Sequence, residues 1–143
     1  MELYIPCCDA SLPMVKVNSY LFSVLWPEVT VNYLGFKKPD FNLYSDNHFF
    51  HSLAPEQAGG SSKWTRYIYN FLKNISDSHI IFSLDDYLLC TRPDYEMLKI
   101  AQEFCKNNPK VGRFDLTFDC QVEGDIYPIK KIKNHQISVK HPK

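Results

Sequence analysis

The sequence predicts an α/β fold, a mostly parallel sheet with helices on both faces. Three observations carry that expectation. Segments of strand-like and helix-like spacing alternate in the order strand, helix, strand, strand, helix, strand, helix, strand, which is the order of a largely parallel sheet. Residues 79–84 form a continuous apolar run of strand length, expected for a central strand covered on both sides. Finally, 45% of the 143 residues are hydrophobic and 15% aromatic, enough for one well-packed domain and far from the composition of a disordered chain.

The elements follow in order. Residues 3–8 are a short apolar run ending in Asp9 and read as a buried strand. Ser11 stands where a helix would be capped and Pro13 fits its first turn; Leu12, Val15, Leu21, Phe22 and Leu25 then mark an apolar face that ends near Trp26-Pro27. Val29, Val31 and Tyr33 alternate with Thr30 and Asn32, as in a half-buried strand. Residues 35–39 read as a turn, residues 41–45 as a third strand running into Asp46, and residues 47–62 as a long loop of the kind that often serves function.

Beyond that loop, Trp64, Tyr67, Ile68, Phe71, Leu72 and Ile75 fall at helical spacing. The apolar strand at 79–84 ends in Asp85-Asp86. Residues 91–94 open another helix, with Pro93 in its first turn and Tyr95, Leu98, Ala101, Phe104 and Cys105 as its buried stripe. Phe114, Leu116 and Phe118 alternate with Asp115, Thr117 and Asp119, giving one more strand. The expected organisation is a single domain over 1–143, with a core over 1–118 and a tail over 119–143 whose structure is poorly specified. That tail is basic at Lys130, Lys131 and Lys133, a pattern that most often marks a solvated surface.

Composition also excludes functions. Sixteen Lys and Arg balance sixteen Asp and Glu, which argues against a dedicated nucleic-acid binder. The longest apolar stretch, around residues 80–84, falls far short of a membrane span, so no integral membrane segment is expected. The five cysteines are odd in number and irregular in spacing, and the N-terminus lacks the pattern of a signal peptide. The expectation is a cytoplasmic protein with reduced, mostly buried thiols.

In a parallel sheet, ligands bind beyond the carboxyl ends of the strands, where the strand order reverses. That rule singles out Asp9, Asp46, Asp85 and Asp86, each expected at or just past a strand end. Acids gathered at one sheet edge repel one another unless a cation neutralises them. Mg²⁺ and Mn²⁺ suit oxygen ligands and typically take one or two protein carboxylates, with phosphates and waters completing the shell. A surface turn in which the two acids cap the next element is the plain alternative. The segment Gly59-Gly60-Ser61-Ser62-Lys63-Trp64-Thr65-Arg66 leads a glycine pair into a helix start, a place that suits a diphosphate, although it matches neither a P-loop nor a dinucleotide fingerprint. His48 and His51 have the spacing of a helical metal pair without a third ligand, and aromatic packing is the simpler reading. Cys7-Cys8 beside Asp9 has no assignable histidine partner.

The succession from Gly59-Gly60 through Trp64-Thr65-Arg66 to Leu84-Asp85-Asp86-Tyr87-Leu88-Leu89 resembles the GT-A-type glycosyltransferases, and is similar to family 2 glycosyltransferases. The strand ending in Cys8-Asp9 fits the same plan, so the resemblance covers residues 1–118. It implies a nucleotide-diphospho-sugar transferase-like, Rossmann-like three-layer fold, of which this chain would be the nucleotide-sugar-binding half. It further implies a donor site of Asp9, Asp46, Arg66 and Asp85. Asp86 and Asp85 would be the metal-binding pair of a DxD-like motif, Asp86 the favoured ligand, with Mn²⁺ or Mg²⁺ as cofactor. The sequence reads Leu-Asp-Asp-Tyr, so a strict D-x-D is absent. The implied activity is a metal-dependent transfer of sugar from a nucleotide-diphosphate sugar to an unknown acceptor (glycan, lipid or protein), with the catalytic base unassigned. The alternatives are a non-catalytic or truncated nucleotide-binding or interaction module, and a nucleotidyltransferase-type enzyme on a related sheet.

Overall fold

A computed structural model describes residues 2–57, 61–76, 79–111, 127–132 and 135–139. The chain divides into two compact units, Met1–Pro93 and Asp94–Lys143. The first unit is an α/β layer structure. Its elements are β1 (Glu2–Pro6), α1 (Leu12–Leu25), β2 (Thr30–Gly35), β3 (His48–Ser52), α2 (Ser61–Leu72) and β4 (Ile81–Phe82). The four strands are all parallel in the order β3-β2-β1-β4. Chain order therefore runs outward from β1 to β3 and then returns across β1 to β4, which puts the reversal of strand order between β1 and β4.

The alternation of side chains along the strands assigns each helix a face. Leu3, Ile5, Cys7, Val31, Tyr33 and Val15 of α1 are fully or almost fully buried on one side. On the other side Tyr4 and Leu34 form a cluster with Ile68 of α2, against which Leu53, Trp64, Phe71, Leu72, Ile75 and Ile80 pack. The expected apolar face of α2 is thus the one used, although the helix starts at Ser61, three residues ahead of Trp64. Edge-on ring contacts at 6.3 Å (Tyr4–Phe71) and 5.8 Å (Phe36–Tyr67) fix how α2 lies on the sheet.

The structure corrects several local expectations. The third strand is His48–Ser52 rather than residues 41–45, and it occupies part of what reads as loop. Residues 41–45 have strand-like composition, but the Tyr44 N–H goes to Ser19 Oγ at 2.9 Å instead of to a neighbouring strand. Asn47 then closes the amino end of β2: its side chain donates to Pro27 O at 3.0 Å and Val29 O at 2.7 Å, and its carbonyl accepts the Val31 N–H at 3.0 Å.

The apolar run at 79–84 contributes only two ladder residues and lies at the edge of the sheet among the described residues, with Phe82 49% and Leu84 42% exposed. The strands buried on both sides are β1 and β2, and in β2 even Asn32 is inside. Its amide tolerates burial because Oδ1 lies 2.8 Å from His51 Nε2 and Nδ2 donates to Glu2 Oε2 at 3.4 Å.

Ser11 holds the N-cap position of α1 without capping it. Its hydroxyl turns back to the preceding 3-10 turn, donating to Cys8 O at 2.9 Å and accepting from Cys8 N at 3.0 Å. At the other end of α1, Pro27 follows the last turn and the Trp26 N–H closes on Phe22 O at 2.9 Å.

In the second unit α3 spans Tyr95–Asn107. Asp94 is its N-cap and accepts the Met97 N–H at 3.0 Å, so Pro93 lies just outside the helix rather than in its first turn. Met97 and Ala101 are buried and Leu98, Phe104 and Cys105 half-buried, so the expected stripe is used except at Tyr95, which is 47% exposed, and Met97 joins it. In the tail, β5 (Tyr127–Ile132) pairs antiparallel with β6 (His135–Val139), with an irregularity between Pro128 and Lys130. The expected strand at 114–118, with Asp115 and Asp119, lies outside the described residues. Among the described residues no helix is long and apolar enough to cross a membrane.

Candidate functional site

The carboxyl edge of the sheet gathers the ends of β1, β2 and β4. Beyond Pro6 the chain stays paired for one more step, Cys7 N–H to Leu34 O at 2.9 Å, and then enters the short 3-10 turn Asp9–Ser11. Asp9 is the first residue of that turn. Its Oδ1 accepts the Lys37 N–H at 2.9 Å, just past β2, and its own N–H donates to Gln57 Oε1 at 3.0 Å. The carboxylate is therefore held by main chain just past the next strand.

On the other side of β1, the Ser83 N–H bonds Tyr4 O at 3.0 Å and carries the pairing of β4 one residue further. The chain then reverses through Leu84-Asp85-Asp86-Tyr87, closed by the Tyr87 N–H on Leu84 O at 3.2 Å. Asp85 and Asp86 are the two central residues of this turn, Asp85 half-buried and Asp86 exposed. The turn reading and the ligand-edge reading of the two acids thus coincide in one place.

Asp9 and Asp85 bracket a common neighbour. Burial pushes the Cys7 thiol up to about 12, and the negative charges of Asp85, Cys8 and Asp9 add to that rise. Cys7 itself packs under Gly35, where a Cβ would come within 2.9 Å of its Sγ and 2.5 Å of Phe50 Cζ. The glycine that ends β2 is required by close approach of side chains from β1 and β3.

The remaining expected residues are placed differently from one another. Arg66 is exposed in the second turn of α2, next to Tyr67, whose ring meets Phe36 just past β2; this puts it at the same end of the sheet as Asp9. Asp46 does not follow a strand. It precedes β3, whose first residue His48 is in register with Val31, so Asp46 lies at the amino edge and away from the other acids. Gly59 and Gly60 lie outside the described residues. His48 and His51 fall three apart on a strand and so face opposite sides: His48 sits 2.9 Å from Ser19 of α1, and the His51 ring 4.9 Å from Phe71 of α2. They share no ligand position.

Two functional candidates escape the sequence reading. Asn18 and Ser19 are both fully buried in α1. The Asn18 amide donates to Tyr87 O at 3.3 Å and to Asp85 O at 3.5 Å, while its Oδ1 accepts from Tyr33 Oη at 3.3 Å. The signal was available: residues 15, 18, 19 and 22 have i, i+3, i+4, i+7 spacing, so two polar residues occupy the core stripe of an otherwise apolar helix face.

Of the four described cysteines, all free, Cys7 is buried, Cys8 and Cys105 are half-buried and Cys90 is exposed, so the expectation of mostly buried thiols holds best for Cys7. Among the described residues no three or more His, Cys, Asp or Glu side chains gather into a group that would hold a metal by themselves. Two adjacent carboxylates fit a different case, a hard divalent cation already carried by a diphosphate, which needs only one or two protein oxygens. No known family model matches the sequence, and no curated protein and no solved structure matches it.

Proposed function

We propose that this chain binds a nucleotide-diphosphate sugar at the carboxyl edge of its sheet and acts as a metal-dependent glycosyltransferase of GT-A type. The observation that carries the reading is the placement of Asp9 and of the Asp85-Asp86 turn on neighbouring strands, β1 and β4, where the strand order reverses. Asp86, exposed at the turn, and Asp85 beside it would hold Mn²⁺ or Mg²⁺ carried by the donor diphosphate. Asp9 would meet the nucleoside and Arg66 the diphosphate.

In such a transfer the bond from the anomeric carbon to the diphosphate oxygen breaks, a bond to the acceptor oxygen forms, and the acceptor's hydroxyl proton passes to a base that is left unassigned. Negative charge grows on the departing diphosphate, and a divalent cation held by Asp85 and Asp86 would supply the electrostatic stabilisation. The residues named here serve the donor half of that reaction: they bind, orient and neutralise.

Calorimetric titration with UDP- and GDP-linked sugars, with and without Mn²⁺, tests the proposal. Saturable binding that strengthens with Mn²⁺ supports it. Absence of binding to either nucleotide under every metal condition removes it.

A further inference from the structure

Asn18 is the most deeply buried polar side chain that reaches the candidate site, at 0% exposure. A buried primary amide must place two N–H donors and a carbonyl acceptor, or bear a penalty for each left unpaired. Main-chain carbonyls only accept, so the amide nitrogen faces Asp85 O and Tyr87 O, 3.5 and 3.3 Å away. The oxygen then faces the Tyr33 hydroxyl, which donates to it across 3.3 Å. Tyr33 is itself fully enclosed in β2, so the orientation of the amide is set from inside the core.

Among the described residues the turn that Asn18 grips has few other anchors. β4 is in register with β1 only at Leu3↔Ile81 and Tyr4↔Phe82, followed by the single Ser83 N–H bond. Asp86, Tyr87 and Leu88 are exposed. The two carbonyls that Asn18 engages stand on either side of Asp86, and 67 and 69 residues of sequence separate them from the amide.

Resting on the nucleotide-sugar reading, we infer that Asn18 is a positioning residue for the Asp85-Asp86 turn. It ties the main chain before and after Asp86 to α1. By doing so it fixes the direction in which the two carboxylates leave the turn, ready for a cation carried by a nucleoside diphosphate. Asn18 does not touch the ligand; it acts through the backbone that presents the acids.

The test uses the full chain and two readouts. Hydrogen exchange followed by NMR reports the Tyr87 amide, whose bond to Leu84 O closes the turn, against the amides of β1. Titration of UDP in the presence of Mn²⁺ reports the site. In Asn18→Ala the Tyr87 amide is expected to exchange about tenfold faster relative to β1, the size of one or two net hydrogen bonds, and Mn²⁺-UDP affinity to fall by a similar factor. Val15→Ala, a core truncation on the same helix, is expected to accelerate β1 and the turn together. Tyr33→Phe keeps the amide but removes the donor that orients it, and is expected to shift the turn selectively by a smaller factor; it also serves should Asn18→Ala not fold. If Asn18→Ala or Tyr33→Phe affects the turn no more than it affects β1, the positioning role is overturned. If wild-type protein binds no Mn²⁺-UDP or Mn²⁺-GDP, the sugar-transfer reading fails, and the exchange pattern still decides whether Asn18 holds the turn.

Discussion

Ser19 Oγ lies 2.9 Å from His48 Nδ1 in the interior between α1 and β3, while Nε2 of the same imidazole is buried without a hydrogen-bond partner. A second proton on that ring would place a charged N–H where nothing accepts it. Burial accordingly holds His48 below its ordinary value of 6.5. His51 is lowered in the same direction by burial, with Glu2 opposing.

The sign of the resulting pH dependence follows. In the unfolded chain both histidines take up protons near 6.5, whereas the folded chain resists until a lower pH. Stability is therefore intact above about pH 6.5 and declines as pH falls below it. Urea midpoints at about pH 7.5 and about pH 5.5 measure the decline. His48→Asn retains a hydrogen-bonding atom near Nδ1 and cannot titrate, so it is expected to flatten the slope. An unchanged slope would assign the decline to other groups.

Gly35→Ala is expected to destabilise the first unit by about 1–3 kcal/mol, the usual range for overpacking. The added methyl would stand 2.5 Å from Phe50 Cζ and 2.9 Å from Cys7 Sγ. The ring tip can swing, but the thiol is enclosed. Pairing Gly35→Ala with Phe50→Leu should recover part of the loss, and thermal unfolding of the single and double variants reads the recovery directly.

Thiol reactivity should separate the cysteines cleanly. Cys90 is exposed, whereas Cys7 is buried and pushed up to about 12, so almost no thiolate forms there near neutrality. Brief alkylation of folded protein at about pH 8, followed by peptide mapping, is expected to label Cys90 and to leave Cys7 intact until denaturant is added. Early modification of Cys7 would contradict the described packing under Gly35.

Asp86→Asn tests the proposed metal role without disturbing the fold, because the side chain is exposed. Its unfolding midpoint should stay within the narrow range typical of surface substitutions. Nucleotide binding in the presence of Mn²⁺ should drop to the level seen in its absence. Unchanged Mn²⁺-dependent affinity in this variant removes Asp86 as a ligand.

Much of the architecture was legible in residue spacing. The runs at 3–8 and 64–75 and the alternation at 29–33 each mark a real element, and the parallel order follows from their sequence. What misled was the assumption that apolarity measures centrality. The run at 79–84 reads as a central strand, yet it forms the edge strand β4, while β2, with Asn32 in its middle, lies inside beside β1. Asn32 is admitted there by partners 30 and 19 positions away, Glu2 and His51, which no local pattern reveals.

The third strand was missed for a related reason. His-Phe-Phe-His-Ser carries two histidines, and their burial depends on Ser19 and Asn32 supplying bonds from elsewhere. At the candidate site, the positions of Asp9 and Asp85 followed from the strand-end rule, whereas Asp46 went astray with the strand assumed to precede it.

Asp9 draws its two fixed contacts from the chain just past β2 and from Gln57, which follows β3. One residue, through its carboxylate and its main-chain N–H, is thus tied to the chain following each of the next two strands. Any shift of the segment joining β3 to α2 would be felt at Asp9 through the Gln57 side chain. The strand end that carries Asp9 is in this way mechanically linked to the β3 side of the sheet.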